Sequence, residues 1–483
     1  MSETSTDAAP SAQRAIPLCV DLDGTLVQSD TLHDSLLVLV RTRPTKLFPL
    51  IGKLFHGKAA FKAYLSSLVA PDIANLPYNR KLLLFLQAER ARGREIYLAT
   101  GADTRLAERV ASHLGVFSGV LASEGVVNLT GNHKLNRLRD TLSESFSYIG
   151  NGSADLPLLL KAVEPMVANP SMRLRAKLRA KGIHPALEFD ERASPITSLI
   201  KALRVHQWAK NLLIFLPLLL AHRFNAGDVF KTALAFLCFS FAASGTYVIN
   251  DLFDIEADRR HHRKRLRPFA AGDLSVVTGA AIVVVVFTLA LGGASFLPAA
   301  SFGWILFYLA TTLAYSFYLK RVPLVDVLVL SGLYTLRLLV GGGATGTPIS
   351  QWLAGFSVFV FFSLALVKRF AELENLRSSA SPLRNGRGYL LGDLEQLRSF
   401  GTASAYAAIV IFAIYISGHD VRALYHHPAR LWLAVPLMIL WLSRTWLLAS
   451  RGELNEDPVV FAFTDRMSLL IGIAVAIIAL LAL

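Results

Sequence analysis

Nine apolar stretches follow residue 210, and they constrain the fold of this chain more than any other feature. They cover residues 211–221, 231–249, 275–297, 302–319, 324–341, 352–368, 401–417, 429–448 and 467–483. A helix that crosses a bilayer needs about 20 apolar residues, and most of these stretches approach that length. The chain is 53% hydrophobic and only 17% charged, which excludes a disordered protein and a single soluble globule. We therefore predict an all-α bundle of nine transmembrane helices within residues 196–483.

The charges of the loops between these stretches alternate. Basic residues concentrate in every second loop, for example at 259–267 and 320–321, whereas the loops at 298–303 and 341–351 carry no charge. Because Lys and Arg are enriched in cytoplasmic loops, we expect a multi-pass protein of a bacterial cell membrane with a cytoplasmic N-terminal domain. The net charge of +14 fits loops that face anionic membrane lipids. We expect no nucleic-acid partner, since no RNA- or DNA-binding motif is apparent.

Residues 1–195 have the pattern of a separate soluble α/β domain. Short apolar runs at 16–20, 95–100 and 146–149 are each followed by a turn that contains glycine, and stretches of helical period such as 104–114 lie between them. Alternating strands and helices predict a mainly parallel, Rossmann-like sheet. In such folds the functional site lies at the carboxyl ends of the strands.

Polar residues stand where these predicted strands end. Asp21 and Asp23, within DLDGT, follow the first strand, and Thr100 ends the second. Lys134 precedes the third strand, and Asp155 follows it within GNGSAD. Two carboxylates at a strand end can share a hard cation, and the first could also attack phosphorus. Thr and Lys can bind a phosphate and neutralise its developing charge. The pattern indicates phosphate chemistry.

This ordered set resembles the haloacid dehalogenase-like (HAD) phosphatase superfamily. The resemblance implies that Asp21 is the nucleophile, Asp23 the general acid/base, and Thr100 and Lys134 phosphate ligands. It further implies that Asp21, Asp23 and Asp155 bind Mg²⁺, and that the residues between Asp30 and Glu95 form a helical cap. Many members have Asp where this chain has Asn151. A degenerate regulatory or scaffolding domain is therefore the alternative to an active phosphatase.

A second acidic motif, NDLFDIEAD, ends the second apolar stretch. Its polar members Asn250, Asp251, Asp254 and Asp258 share one face if the segment is a continuous helix. Clustered carboxylates near hydrocarbon repel one another, and divalent cations that bridge to a diphosphate relieve this repulsion. The basic run that follows includes Lys264 and Arg267, which suit a phosphate-rich substrate.

NDxxDxxxD followed by KxxRPxxxG resembles the UbiA superfamily of membrane transferases. The resemblance implies that the four polar residues of the first motif surround Mg²⁺ and a diphosphate, with Asp251, Asp254 and Asp258 central to catalysis. It implies that Lys264 and Arg267 stabilise the leaving group.

The second Asp-rich motif of the prenyltransferases is missing, since its place holds Lys368, Arg369 and Glu372. With Lys320 and Asp326, these residues resemble the decaprenyl-phosphate phosphoribosyltransferase branch, and we take all five as candidates for substrate binding. The resemblance implies transfer of 5-phosphoribose from phosphoribosyl pyrophosphate to a polyprenyl phosphate. The fused phosphatase could then remove the 5-phosphate of the product.

Two alternatives stay open for the membrane domain. One is a prenyltransferase that moves a polyprenyl group from its diphosphate to an aromatic or other acceptor. The other is a transporter or lipid-binding scaffold, which would not depend on a metal.

Overall fold

The computed structural model describes residues 16–124, 128–142, 144–378, 387–454 and 457–483. Contacts divide the chain into two compact units. The first unit runs to Ala202 and also contains Val248–Ala281, and the second comprises Leu203–Tyr247 and Ile282–Leu483. The N-terminal sheet and the segment that carries the acidic motif therefore belong to the same unit.

The first unit is built on a parallel sheet. The strands are β1 (Leu18–Val20), β2 (Ile96–Asp103), β3 (Gly119–Ser123), β4 (Ser147–Gly150), β5 (Pro165–Ala168) and β6 (Glu188–Phe189). Their order is β3-β2-β1-β4-β5-β6, and neighbouring strands are parallel. Val20 pairs with Leu98 of β2 and with Ile149 of β4, so the carboxyl ends of three strands meet at one edge. The predicted Rossmann-like sheet is confirmed.

Helices alternate with these strands, as the sequence predicts. They are α1 (Thr31–Thr42), α2 (Leu47–Leu54), α3 (Lys58–Leu68), α4 (Arg80–Ala91), α5 (Thr104–Leu114), α6 (Asn132–Thr141), α7 (Leu156–Leu159), α8 (Met172–Ala180) and α9 (Pro195–Leu203). The predicted helix at 104–114 has the expected bounds because Asp103 caps its first turn and Gly115 ends it in a left-handed conformation.

Four helices lie between β1 and β2. The first three, α1 to α3, form the predicted helical cap, whereas Leu82 and Leu86 of α4 pack into the core of the sheet. α1 begins after Asp30, whose side chain accepts two backbone N–H groups of the first turn. Leu39 of α1, Leu50 of α2 and Leu65 of α3 pack together in a small apolar core of their own. The cap is thus held by its own contacts as well as by the sheet.

The rest of the chain is helical. The helices are α10 (Leu216–Leu220), α11 (Ala226–Phe253), α12 (Ile255–Arg260), α13 (Pro268–Ala271), α14 (Val276–Ala294), α15 (Ala299–Phe317), α16 (Val325–Thr345), α17 (Gln351–Ser378), α18 (Leu394–Ser417), α19 (His419–Leu424), α20 (Ala434–Ser450), α21 (Pro458–Thr464) and α22 (Arg466–Ala482). Within the described ranges, seven helices are long and apolar enough to cross a membrane, or eight if the bent pair α21–α22 forms one span.

The prediction of nine spans is therefore wrong. The first predicted stretch, residues 211–221, forms part of a 3-10 segment (Val205–Phe215) and the five-residue helix α10. At ~1.5 Å per residue, α10 cannot cross the ~30 Å of bilayer hydrocarbon. The last stretch corresponds to α22, which follows α21 across a bend of 77°. The hydrophobicity of a short segment does not show whether that segment forms a straight membrane-spanning helix.

Candidate active sites

Four buried polar side chains meet at the carboxyl edge of β1 and β4. Lys134 donates to Asp21 Oδ1 at 2.8 Å, and its Nζ lies 3.6 Å from Asp155 Oδ1. The hydroxyl of Tyr148 accepts from Lys134 at 3.0 Å and donates to Asp155 Oδ1 at 2.8 Å. The sheet thus brings together three residues that the sequence analysis selected, because Asp21 follows β1 and Asp155 follows β4.

The sequence analysis missed Tyr148. The residue lies within β4, where an aromatic side chain is an ordinary core residue, and it is fully buried. Burial raises the pKa of Tyr148 well above its usual value, so the hydroxyl stays protonated and acts as a donor to Asp155. The only signal in the sequence was that a buried tyrosine hydroxyl needs a polar partner.

Asp21 and Asp23 differ in their surroundings. Asp23 Oδ1 accepts the backbone N–H of Thr31 at 2.7 Å. Burial, with a smaller contribution from Asp30, raises the pKa of Asp23 to about 7. Burial raises the pKa of Asp21 to about 6 against the opposing charge of Lys134. A carboxyl group whose pKa lies near neutrality suits a general acid/base, and burial brings both Asp21 and Asp23 into this range.

Asn151, which departs from the family pattern, packs against the loop that carries Asp21 and Asp23. A Cβ placed on Gly24 would lie 1.9 Å from Asn151 Nδ2, and Gly24 has a φ of +75°. Position 24 therefore requires glycine both for close approach and for its backbone conformation. Because Asn151 lies inside the site, its neutral amide takes the place of a second charge there.

Thr100 lies within β2, which continues to Asp103, so the prediction that Thr100 ends this strand is wrong. A lysine of the cap contacts the next residue, Gly101. Thr100 Oγ1 accepts the backbone N–H of Ala102 at 3.0 Å, so the hydroxyl shapes the end of β2. Lys62 of α3 donates to the Gly101 carbonyl at 2.6 Å and to Asn128 Oδ1 at 3.3 Å. The cap thus contributes a cation that the sequence analysis missed, since a single lysine on a helix carries no signal.

The residues can accommodate Mg²⁺ in a minimal site. The described ranges contain no group of three or more His, Cys, Asp or Glu side chains close enough to hold a metal ion. Mg²⁺ is, however, usually bound by one or two carboxylates, with substrate phosphates and water completing the octahedron. Asp21 and Asp23 fit this requirement, because burial disfavours their ionised forms and a cation would remove that cost. Both oxygens of Asp155 accept hydrogen bonds, as do both oxygens of Asp21, so Asp155 stays a predicted ligand.

The acidic motif at residues 250–258 is not one continuous helix. α11 ends at Phe253, and α12 begins at Ile255. Asp254 lies between them with φ −97° and ψ 7°. Backbone hydrogen bonds from the Asp254 N–H to the Asn250 carbonyl and from the Asp258 N–H to the Asp254 carbonyl nevertheless keep the four-residue spacing across this residue, so the interruption does not by itself remove the predicted common face. Asn250 and Asp251 belong to the last turn of α11, whereas Asp258 belongs to α12.

Arg267 brings two acids of this motif together. One of its guanidinium nitrogens lies 3.0 Å from Asp251 Oδ1 and 2.6 Å from Asp258 Oδ2. Both carboxylates are buried, and burial raises the pKa of Asp258 although Arg267 opposes the shift. Lys264 opens the short turn Lys264–Leu266 just before Arg267. The loop thus places cationic and carboxylate groups side by side, as a metal-bound diphosphate requires.

Arg259, the residue after Asp258, is buried within the first unit. Its guanidinium donates to Asp34 Oδ2 at 2.8 Å, to Ser29 Oγ at 3.0 Å and to the Ala270 carbonyl at 3.0 Å. The sequence analysis did not single out Arg259, because it begins a run of basic residues that is typical of an exposed loop. The acidic segment is therefore tied to the start of α1.

In the second unit, Arg369 brings three candidate residues together. The fully buried guanidinium lies 2.6 Å from Asp326 Oδ2, 2.7 Å from Glu372 Oε2 and 3.1 Å from the Tyr315 hydroxyl. The Tyr389 hydroxyl donates to the other oxygen of Asp326. Each charge here faces an opposite charge, which is the arrangement of a structural ion-pair network. Lys320 lies in the turn Leu319–Arg321 that precedes α16.

Lys368 belongs to a different cluster from its neighbour Arg369. Its Nζ donates to Asp457 Oδ2 at 2.7 Å, and Lys210 Nζ lies 2.9 Å from the same oxygen. The Tyr334 hydroxyl donates to Asp457 Oδ1 at 3.3 Å. Neither Lys210 nor Asp457 was selected from the sequence as a candidate site residue. This ion pair joins a residue near the start of the second unit in sequence with a residue near its end.

This cluster, Lys210–Lys368–Asp457, carries a surplus of positive charge. Burial lowers the pKa of Lys210 to about 8, with Asp457 opposing the shift. Burial alone would raise the pKa of Asp457, but the two lysines outweigh it and hold this pKa well below its usual range. The guanidinium of Arg337 lies 5.0 Å from the ring centre of Tyr334 and adds a further cation. Lys210 is buried, whereas the Lys368 side chain is 32% exposed, so an anionic ligand can reach the cluster and compensate its surplus positive charge.

Two family models match the chain. The UbiA prenyltransferase family matches residues 211–470, which is more than half of the chain. The chain belongs to the UbiA prenyltransferase family. Haloacid dehalogenase-like hydrolase matches residues 18–160, which contain the parallel sheet up to β4 and the cap. The chain therefore joins a HAD-like domain to a UbiA-type domain.

The relatives of this UbiA-family chain differ in how much of this chain they match. The uncharacterized protein y4nM of Sinorhizobium fredii is 41% identical and matches 96% of this chain and 90% of its own. Nodulation protein NoeC of Azorhizobium caulinodans is 35% identical over 59% of this chain and 94% of its own length. Decaprenyl-phosphate phosphoribosyltransferase of Mycobacterium tuberculosis is 31% identical over 58% of this chain and 93% of its own length.

A solved UbiA homolog from Archaeoglobus fulgidus, bound to DMAPP and Mg²⁺, aligns with 58% of this chain and 95% of its own at 17% identity and a TM-score of 0.46. The family places the chain among multi-pass integral membrane proteins and transferases, in agreement with the sequence analysis.

Proposed function

We propose that the UbiA-type domain transfers 5-phosphoribose from phosphoribosyl pyrophosphate to a polyprenyl phosphate. The observation that carries the proposal is the cationic cluster of Lys210, Lys368 and Asp457. Prenyl transfer to a neutral aromatic acceptor needs a binding site for one anionic substrate. Phosphoribosyl transfer to a lipid phosphate has two anionic substrates, a pyrophosphate donor and a phosphate acceptor. The relatives named decaprenyl-phosphate phosphoribosyltransferase support the same choice.

In this proposal the acidic motif binds the donor and the cationic cluster binds the acceptor. Asn250, Asp251, Asp254 and Asp258 would hold Mg²⁺, which neutralises the charge of the pyrophosphate. Lys264 and Arg267 would donate hydrogen bonds to the same group as its charge grows. Lys210 and Lys368 would orient the lipid phosphate, and Lys320 would be a further substrate ligand.

The reaction forms one bond and breaks another. An oxygen of the lipid phosphate attacks the anomeric carbon of the ribose while the bond from that carbon to the pyrophosphate oxygen breaks. The electron pair of that bond leaves with the pyrophosphate. Positive charge develops on the ribose and negative charge on the leaving group, so fixed opposite charges around both lower the barrier.

We propose further that the HAD-like domain hydrolyses a phosphate monoester, and that its substrate is the 5-phosphate of the transferred ribose. Asp21 would attack phosphorus while the bond from phosphorus to the ribose 5-oxygen breaks, and Asp23 would give its proton to that oxygen. Asp23 would then take a proton from a water molecule that attacks the phosphorus bound to Asp21, which releases inorganic phosphate and restores the Asp21 carboxylate. Lys134 would neutralise the charge of the phosphate oxygens, and Tyr148 would hold the Lys134 ammonium group between Asp21 and Asp155. Asp21 and Asp23 would hold Mg²⁺, which when bound supplies positive charge to the substrate phosphate. The joining of a phosphatase-like domain to a transferase in one chain supports this order of reactions.

We also propose the side of the membrane on which these reactions occur. The HAD-like fold and the basic segment within Val248–Ala281 share one compact unit. Since basic loops lie on the cytoplasmic side, the N-terminal domain would be cytoplasmic at a bacterial cell membrane.

Product analysis tests the proposed function. The purified full-length chain, reconstituted in lipid with Mg²⁺, is given a polyprenyl phosphate with either phosphoribosyl pyrophosphate or geranyl diphosphate, and lipid products are identified by mass spectrometry. We expect a ribosyl lipid with the first donor only. Asp21→Asn should accumulate the lipid that still carries the 5-phosphate, and Asp254→Ala should form neither product. A prenylated product, or an unchanged product pattern in both variants, would contradict the proposal.

A further inference from the structure

The cap helix α2 exposes three large apolar side chains. Phe48 is 81% exposed, Ile51 is 54% exposed, and Phe55, the residue that follows the helix, is 89% exposed. Positions 48, 51 and 55 lie on one face of a helix, while Leu50 on the opposite side is buried in the cap core. Two exposed phenylalanines beside an exposed isoleucine form a contiguous apolar patch, which marks an interaction surface in a folded protein.

All the charged residues in the chain around this face are basic. Residues 35–71 contain six Lys or Arg side chains and no Asp or Glu, namely Arg41, Arg43, Lys46, Lys53, Lys58 and Lys62. Lys46 and Lys58 flank α2 and are exposed, as is Lys53 within it. An apolar face bordered by lysines, without a single acid in 37 residues, complements a surface that is both apolar and anionic.

We propose that α2 lies on the anionic lipid surface of the membrane in which the chain is embedded. Phe48, Ile51 and Phe55 would enter the boundary between headgroups and acyl chains, and Lys46 and Lys53 would contact lipid phosphates. Seven described helices of the same chain are long and apolar enough to cross a bilayer, so the membrane is a lipid surface to which this chain is attached. Charge complementarity identifies the occupant as anionic lipid.

The position of α2 suggests what this lipid contact does for the enzyme. The role described next rests on the proposed phosphatase function. Gly57, with a φ of +99°, joins α2 to α3. Lys62 of α3 donates to the Gly101 carbonyl at the carboxyl end of the sheet. A cap that rests on lipid through α2 and reaches the catalytic edge through α3 would select phosphate groups carried by lipids in that surface over soluble phosphate esters.

Fluorescence quenching by lipids tests the contact itself. The full-length chain is reconstituted in nanodiscs of phosphatidylcholine with or without phosphatidylglycerol, and a fluorophore is attached to Phe48→Cys or Phe55→Cys. Met172→Cys is the matched control, because Met172 is 89% exposed and lies on α8. Both native cysteines are buried.

We expect quenching by spin-labelled lipids at positions 48 and 55 in the anionic discs, weaker quenching in neutral discs, and none at position 172. Quenching no stronger than at position 172 would overturn the proposal. Equal quenching in both kinds of disc would overturn the assignment to anionic lipid. Protection of positions 48 and 55 from an aqueous quencher, without quenching by the spin-labelled lipids, would also overturn the proposed lipid contact. That result would indicate a protein partner instead.

Hydrolysis of two substrates tests the role. For Phe48→Ser/Phe55→Ser, release of phosphate from a phosphoribosyl lipid in the same discs should fall about tenfold, which corresponds to about 1.4 kcal/mol. Hydrolysis of soluble p-nitrophenyl phosphate should not change. Leu84→Ser is the control, since Leu84 is exposed on α4. An equal loss on both substrates would overturn the role. If the wild-type chain hydrolyses neither substrate, the proposed phosphatase function fails while the quenching result still decides the contact.

Discussion

Arg259 and Asp34 form a buried ion pair, with a guanidinium nitrogen 2.8 Å from Asp34 Oδ2. Arg259 directly follows Asp258 of the acidic motif, and Asp34 lies in the first turn of α1. Thr31, the first residue of the same helix, donates its backbone N–H to Asp23. One ion pair therefore ties the segment of the proposed transferase motif to the loop of the proposed phosphatase.

We expect Arg259→Ala to destabilise the first unit by about 3–5 kcal/mol, because it leaves the carboxylate of Asp34 buried without its partner. Arg260→Ala is the matched control, since the pair of Arg260 with Asp72 is solvent-exposed on the arginine side and should contribute about 0–1 kcal/mol. Thermal unfolding of the full-length chain, with amide hydrogen exchange in α1 and α12, measures both. Equal effects of the two substitutions would contradict the burial of Arg259.

Tyr148→Phe should lower the rate of phosphate release about tenfold, since removal of one hydroxyl costs roughly 1 kcal/mol or more when its partners are charged. The hydroxyl links Lys134 to Asp155, so its loss disturbs both groups. Tyr97→Phe is the control, because the Tyr97 hydroxyl bonds to Glu95 at the other end of the sheet. Steady-state hydrolysis of a soluble phosphate ester gives the comparison. A full rate for Tyr148→Phe would show that the hydroxyl is not needed.

Lys134→Met should abolish phosphate release, and Lys134→Arg should not restore it. The lysine is buried between Asp21 and Asp155, where the larger planar guanidinium has no room to replace a compact ammonium group. We expect a loss of at least about 100-fold in kcat for both variants, because electrostatic stabilisation of the transferring phosphate is removed or displaced. Transferase activity, measured in the same samples, should persist and shows that the chain is folded.

Acceptor binding should weaken as the pH rises through about 8, the pKa to which burial lowers Lys210. Below this pH Lys210 is charged and attracts the lipid phosphate, whereas above it the side chain becomes neutral and the attraction falls. Asp457 stays ionised throughout, because its pKa lies far below this range. We expect KM for polyprenyl phosphate to rise above pH 8 in the wild type and to stay flat in Lys210→Arg. An identical profile in both would exclude Lys210 from the acceptor site.

Much of the first unit followed from the sequence because its signals are local. Buried strands read as apolar runs, and parallel strands place their carboxyl ends at one edge, so Asp21 and Asp155 could be expected to meet. Tyr148 could not be selected in this way, since nothing in the chain distinguishes a core tyrosine from one that bonds a buried lysine. The end of α11 before Asp254 could not be predicted either, because the four-residue spacing of Asn250, Asp254 and Asp258 is the same whether or not the helix is interrupted.

The sequence by itself determined the two kinds of domain, the helical cap, the family motifs and most of the membrane-spanning helices, because apolar periodicity and turn residues act over short distances. Only the tertiary structure decided which charges meet. Lys368 and Arg369 are adjacent, yet one joins Lys210 at Asp457 while the other joins Asp326 and Glu372. Neighbouring positions on a helix point in directions about 100° apart, so the packing of distant helices selects the partner of each side chain.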